Sequence, residues 1–236
     1  MKKTKISKLI SKYALNGTIE TVLIKTNNKN TVVEFTHPDK TLIGKTEMKN
    51  SDLKDSELGI FDTTKLIQML GILSEDIDFN VVEVNNNPVN IELKDNSYNL
   101  VFVLADSSII PTAATLKSTP PFEISIDVNN DFVNRFLNAL KAVPAESVTF
   151  IPSNDTIDVV VGYSSTSNTN KVKFTQKASC SSSTSTTFST EHLKNILTSN
   201  RDCTGKIEIS SQGLMKLSFN EPDFDSEYYV VQASLN

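Results

Sequence analysis

Phe61-Asp-Thr-Thr-Lys-Leu-Ile-Gln-Met-Leu70 and Phe188-Ser-Thr-Glu-His-Leu-Lys-Asn-Ile-Leu197 stand at an offset of 127 residues and follow one pattern. Each begins as an aromatic strand end, passes through a Thr-containing helix start and continues as a short helix with apolar periodicity. The same offset carries Ile6, Leu9, Ile10 and Tyr13 onto Val133, Phe136, Leu137 and Leu140 of a helix predicted over Asn130 to Lys141. Two helices in register at one offset mark an internal duplication. At 236 residues the chain is long enough for two units, each with its own core.

Outward from these helices, apolar and polar residues alternate with period two, as in half-buried antiparallel strands. Strands are predicted near 18–26, 30–37, 42–48, 57–61, 77–84, 89–94 and 98–105 in the first half. In the second they fall near 121–127, 147–152, 156–163, 170–178, 183–189, 205–210, 213–219 and 226–233. Turn residues separate them, among them Asn85 to Pro88, Ser153 to Asp155 and Gln212-Gly213. Each half is then an α+β unit, two helices packed on antiparallel sheets. Domains of 1–106 and 121–236 result, joined by an extended connector over 107–120 that holds Pro111 and Pro120. The Ser/Thr-rich stretch 164–190 fits polar edge strands and turns better than disorder, given Val172, Phe174 and Phe188 within it.

Charge is unevenly spread. The net charge is −5, yet residues 1–15 hold Lys2, Lys3, Lys5, Lys8 and Lys12 and no acid, which leaves −10 for the rest. This opening segment reads as an amphipathic helix over 2–15, with Lys5, Lys8 and Lys12 opposite the apolar stripe. Ser and Lys interrupt it too often for a secretory signal. Nothing approaches the run of about 18 apolar residues that a membrane helix needs. Cys180 and Cys203 are too few for a disulfide scaffold and fit reduced intracellular thiols.

Catalytic and cofactor machinery is not apparent. The seven Gly are scattered singly, so neither a P-loop nor a dinucleotide fingerprint forms. His37 and His192 lack Cys, His or paired carboxylates at ligand spacing and are expected at the surface. Acidic groups Asp52, Asp55, Glu57; Glu75, Asp76, Asp78; and Glu221, Asp223, Asp225, Glu227 stand in turn-like contexts and read as solvated loops. Neither an enzyme, a cofactor nor a metal is expected.

Gly59-Ile-Phe-Asp-Thr-Thr-Lys-Leu-Ile-Gln-Met-Leu-Gly-Ile-Leu73 resembles the segment of T-even-type bacteriophage sliding clamps, of the PCNA/beta-clamp superfamily, in which a strand ends at aromatic-Asp and a helix ends in Leu-Gly-Ile-Leu. Phe102-Val-Leu-Ala-Asp-Ser-Ser108, the terminal Tyr228-Tyr-Val-Val-Gln-Ala233 and the Lys-rich opening helix are also similar. The resemblance implies a DNA clamp fold with two tandem clamp-type domains per chain. It further implies a homotrimeric ring around duplex DNA, bound without sequence preference, that gives the replicative DNA polymerase its processivity in viral DNA replication. An ATP-dependent clamp loader and late transcription factors are implied as partners, and the cytoplasm of an infected bacterial host as the location.

On this chain the implied DNA-facing set is Lys5, Lys8 and Lys12 on the first helix, Lys65 on the second, Arg135 and Lys141 on the third, and Lys194 and Arg201 on the fourth. Two repeats per chain, closed by cyclic symmetry, would make a pseudo-sixfold ring lined by these helices. Contacts of flexible Lys to phosphate suit a protein that must slide, because they carry no base readout. The implied partner-peptide pocket uses Ile109, Ile110 and Leu116 of the connector with Tyr229, Val231 and Ala233. In related clamps the last strand of the first domain, 98–105 here, meets a region near 170–178 of the next subunit. Two other functions fit less of the chain: an α+β interaction protein docking through its basic helix, and a carboxylate-dependent nuclease. The first has no need of a second matching half, and the second predicts divalent-metal-dependent DNA cleavage.

Overall fold

The computed structural model describes residues 1–164 and 168–233, so that part of the Ser/Thr-rich stretch lies outside the described residues. The chain divides into two compact units. The first holds Met1–Pro38, Ile43–Ala114 and Pro222–Ser226; the second holds Asp39–Leu42, Thr115–Glu221 and the residues from Glu227 on. The division falls after Ala114, inside the expected connector, because Ala114 N–H donates to Thr36 Oγ1 at 2.8 Å and ties that segment to the first unit. Each unit also includes a short piece of the other half's sequence, which no linear domain boundary could express.

The first half runs α1 (Lys3–Ala14), β1 (Val22–Asn27), β2 (Asn30–Thr36), β3 (Leu42–Met48), β4 (Ser56–Ile60), α2 (Thr63–Gly71), β5 (Asp78–Val84), β6 (Asn87–Lys94) and β7 (Asn99–Val103). Its strands lie in the orders β3-β2-β1-β4 and β5-β6-β7. The second half runs β8 (Ile124–Val128), α3 (Asn130–Ala142), β9 (Ser147–Ser153), β10 (Thr156–Val161), β11 (Val172–Lys177), β12 (Ser179–Cys180), β13 (Thr186–Ser189), α4 (Thr190–Ser199), β14 (Gly205–Ile209), β15 (Leu214–Asn220) and β16 (Phe224–Val231). The orders there are β11-β10-β9-β13 and β12-β8-β14-β15-β16. The two-residue β12 shortens the strand expected at 183–189, since Ser181 N–H and hydroxyl both donate to the Glu123 carbonyl.

The duplication extends to the chemistry of the helix starts. Asp62 caps α2 by accepting from Lys65 N–H, and Ser189, its equivalent at offset 127, caps α4 by accepting from His192 N–H. One residue on, Thr63 donates both N–H (3.1 Å) and hydroxyl (3.0 Å) to the Glu20 carbonyl. Thr190 donates its N–H to the Glu146 carbonyl (3.0 Å) and its hydroxyl to that of Ala145. Both threonines are buried, and each fastens a helix start to the chain just before a strand, β1 for Thr63 and β9 for Thr190.

Burial seats the helices, and side-chain caps mark the starts of α2, α3 and α4. In α1, Ile6, Leu9, Ile10 and Tyr13 are at most 4% exposed, and burying such a side chain is worth about 1.5–3 kcal/mol, against about 1 kcal/mol for a cap. In α3 the buried stripe is Phe132, Val133, Phe136 and Ala139, whereas Leu137 and Leu140 are only half-buried. That rotation from the expected stripe follows from Phe132, which meets the Phe174 ring edge-on at 5.8 Å. Gly59 is required by close approach: a Cβ there would stand 2.4 Å from the Ala105 carbonyl oxygen.

Replacing Asp62 or Ser189 with Ala is expected to lower the unfolding free energy by about 1 kcal/mol each in urea titrations, additively, since the caps share no partners. Asp95 accepts from Ser74, Ser97 and Tyr98 N–H groups, which holds its carboxyl down to about 2. A depressed carboxylate contributes stability above its unfolded value and loses it as pH falls. Acid titration of Asp95→Asn should therefore show a smaller drop than the parent between about pH 4 and pH 2.

Candidate nucleic-acid interface

On α1 the expected lysines are largely engaged within the first unit. Lys2 pairs with Asp76 at 2.6 Å, Lys3 donates to the Leu73 carbonyl, and Lys5 donates to the Asn50 carbonyl at 2.7 Å. Lys8 holds its ammonium 5.4 Å from the centroid of the Phe224 ring, and Lys12 holds its own at 5.8 Å. Lys12 is fully buried, which corrects its expected place on a solvent-facing cationic stripe. The physical reason includes Phe224, delivered to the first unit by the start of β16, whose ring faces the Lys12 ammonium. A signal for this existed. At offset 127 Lys12 corresponds to Ala139 and Lys5 to Phe132, both interior positions of α3. The exposed face of α1 carries Thr4 and Ser11 instead.

Four of the expected cations are exposed: Lys65 in the first turn of α2, Lys141 in the last turn of α3, Lys194 midway along α4 and Arg201 just beyond it. Lys141 also complements the negative end of its helix dipole. Arg201 donates to Asn134 Oδ1 at 2.8 Å, which links the end of α4 to α3. Asn134 and Asn138, both exposed, extend the polar face of α3 and were not singled out from the sequence. Arg135 differs from these four. It pairs with Asp131 at 2.9 Å, donates to the Thr175 carbonyl and Gln176 Oε1, and lies 5.2 Å from the Phe174 ring centroid. It pins β11 to α3, with only part of its charge open to solvent.

The expected pocket residues divide between the units, with Ile109 and Ile110 in the first and Leu116, Tyr229, Val231 and Ala233 in the second. Ile109 is 65% exposed in a 3-10 turn, while Ile110 is buried beside Gly59. Leu116 is exposed. Tyr229 and Val231 alternate with buried Tyr228 and Val230, so they share the outer face of β16. Lys216 lies 5.7 Å from the Tyr229 ring centroid, and desolvation raises the Tyr229 hydroxyl above its ordinary value. Val231 N–H donates to the Thr41 carbonyl and Ala233 N–H to that of Thr187.

His192 is buried, against its expected surface place. Its Nε2 lies 2.7 Å from Thr41 Oγ1 and 3.7 Å from Asp39 Oδ2, partners that sequence spacing could not reveal. The acidic groups are engaged separately: Glu57 with Lys25, Asp76 with Lys2, Asp225 with Lys49 and Glu227 with Lys216. Among the described residues no helix is long and apolar enough to cross a membrane.

No family model matches the sequence, and no curated protein does. Solved structures do match. A PCNA from A. fulgidus, solved with the C-terminal region of FEN-1, superposes with a TM-score of 0.80 at 12% identity, covering 100% of this chain and 98% of that one. PCNA from Entamoeba histolytica gives 0.78 at 13% identity over 99% and 96% of the two chains. PCNA from Thermococcus kodakaraensis gives 0.77 at 12% over 99% and 98%. Replacement of Lys65 by Glu is expected to leave thermal unfolding within about 0.5 kcal/mol of the parent, whereas Lys12→Glu should unfold the first unit, because only the second change puts an unmatched charge in the interior. At so low an identity these chains share with this one a fold, the α+β PCNA fold, over essentially its whole length.

Proposed function

We propose that this chain is a DNA sliding clamp: three copies close into a ring around duplex DNA and hold the replicative polymerase on it, in the manner of T-even-type bacteriophage clamps. The role is non-catalytic, with loading by an ATP-dependent loader and service to late transcription as further parts of the same proposal. What carries it is a pair of open strand edges. In order within the halves, β7 corresponds to β16 and β3 to β11. Within the first unit, the start of β16 lies beside β3: Lys49 N–H donates to the Asp223 carbonyl at 2.8 Å, Thr46 and Ser226 hydroxyls meet at 2.9 Å, and Lys49 pairs with Asp225 at 2.6 Å. The corresponding edges, β7 and β11, end their sheets among the described residues. β7 also exposes Val101 and Val103, 51% and 71% accessible. Such an edge invites another strand, and pairing β7 of one copy with β11 of the next repeats a junction the chain already makes.

In this ring Lys65, Lys141, Lys194 and Arg201 contact phosphates, with Lys5 and Lys8 contributing only from half-buried positions and Arg135 mainly positioning β11. Thr4, Ser11, Asn134 and Asn138 add neutral donors. Topology rather than binding energy retains the DNA, so weak and sequence-blind contacts suffice. Partner tails with apolar anchors would use Ile109, Ile110, Leu116, Tyr229, Val231 and Ala233. The A. fulgidus PCNA bound to part of FEN-1 lends support to such a site.

Light scattering should give a trimer for the parent and a monomer for a Val101→Lys, Val103→Lys double variant; a monomeric parent at micromolar concentration would sink the ring. Changing Lys65, Lys141, Lys194 and Arg201 together to Glu should reduce the dependence of log affinity on log salt by roughly 0.9 for each phosphate no longer neutralised. An unchanged salt slope would count against these residues. Ile109→Asp or Val231→Asp should abolish polymerase stimulation while leaving the trimer intact. Ile110 is the poorer test, since its burial makes any charge there disruptive.

A further inference from the structure

The two halves differ at one edge that the proposed ring does not use. In the second unit β14 has β15 on one side and β8 on the other, with Ile124–Val128 opposite Gly205–Ile209. Its counterpart β5 pairs with β6 and ends its sheet. Among the described residues only Met1 and Lys2 stand where a strand like β8 would run. Met1 N donates to the Ile77 carbonyl at 2.7 Å, Ile77 N–H returns a bond to Met1 at 3.1 Å, and Lys2 bridges Asp76. That exchange turns the backbone of Ile77 outward, so strand alternation turns the N–H and C=O groups of Phe79 and Val81 to the same open edge. The run ends at the bulge between Val82 and Glu83.

We propose that this edge is a docking site for an extended strand of a partner polypeptide in which apolar and basic residues alternate. The pattern follows from the two faces of β5. Phe79 and Val81 lie opposite Leu93 and Ile91, both buried, so added side chains on that face continue the core. Asp78 and Asn80 lie opposite Lys94 and Glu92 on the outer face, where acids outnumber bases and Lys side chains are favoured. The second unit supplies the precedent. There β8 sets Ile124 and Ile126 toward the core, and its Asp127 stands opposite Lys206 of β14. Backbone pairing gives affinity and the alternating side chains give selectivity, as in other strand additions. The site does not depend on the ring, whose closure would use β7 and β11.

The test is hydrogen exchange on the full chain with a capped seven-residue peptide of alternating Lys and Ile. Phe79 and Val81 amides should slow by about tenfold when the peptide is in excess. Val81→Pro, which removes an outward N–H, should abolish binding. Should that variant misfold, the surface change Asp78→Lys should weaken binding by up to about fivefold and favour a peptide with Glu in place of Lys. Three results would overturn the proposal: no protection at these amides, binding indifferent to Asp78→Lys, or protection that rises with protein concentration without peptide, which would assign the edge to a second copy.

Discussion

Two threonine hydroxyls hold this fold in register. Thr63 and Thr190 each stand at a helix start and send two donors into the backbone just before β1 and β9 respectively. A helix laid on a sheet can slide or rotate with little change in buried area, because apolar burial has no direction. A buried donor admits no such freedom, since an unmet bond costs about 1–3 kcal/mol. Tyr13, whose hydroxyl lies 3.4 Å from that of Thr63, joins the first helix to the same point, and burial pushes its ionisation far up. The position of every exposed cation on α2 and α4 descends from these anchors.

The electrostatics of the helices are more restrained than the count of lysines implies. All five near the amino end have carbonyl, carboxylate or aromatic partners, and one of them, Lys12, is interior as well. What remains open to solvent is a sparse set of cations among Thr, Ser and Asn. Sparse, flexible charge would suit the inner wall of the proposed ring, because each strong contact with a passing duplex would be a point of arrest. Beyond about 8–10 Å such charges are screened at physiological salt, so in the proposed ring they would act only on phosphates close at hand.

Much of the fold was legible in the sequence because its signals are local. Period-two strands, apolar helix stripes, and the Asp62 and Ser189 caps can all be found without knowing what lies across space. The misplacements share another cause. Lys12, Arg135 and His192 each look like surface groups until Phe224, Phe174 and Asp39 arrive from distant parts of the chain. The repeat could have corrected the first, since Lys12 matches a buried alanine. Nothing local could have shown that Asp39 and Thr41 reach His192.

The segment that brings Phe224 has a consequence for how the protein is made. Residues 222–226 belong to the first unit, and residues 39–42 to the second. As synthesis proceeds from the amino end, the first unit lacks the Phe224 ring beside Lys8 and Lys12 until residues 222–226 have left the ribosome. Its helix α1 must wait with a basic, half-finished face through the production of the entire second half. Contacts so distant in sequence are slow to form and leave apolar surface open meanwhile. Neither half's sequence completes its unit alone, so the first unit gains its last packing contacts only after the second half has been made.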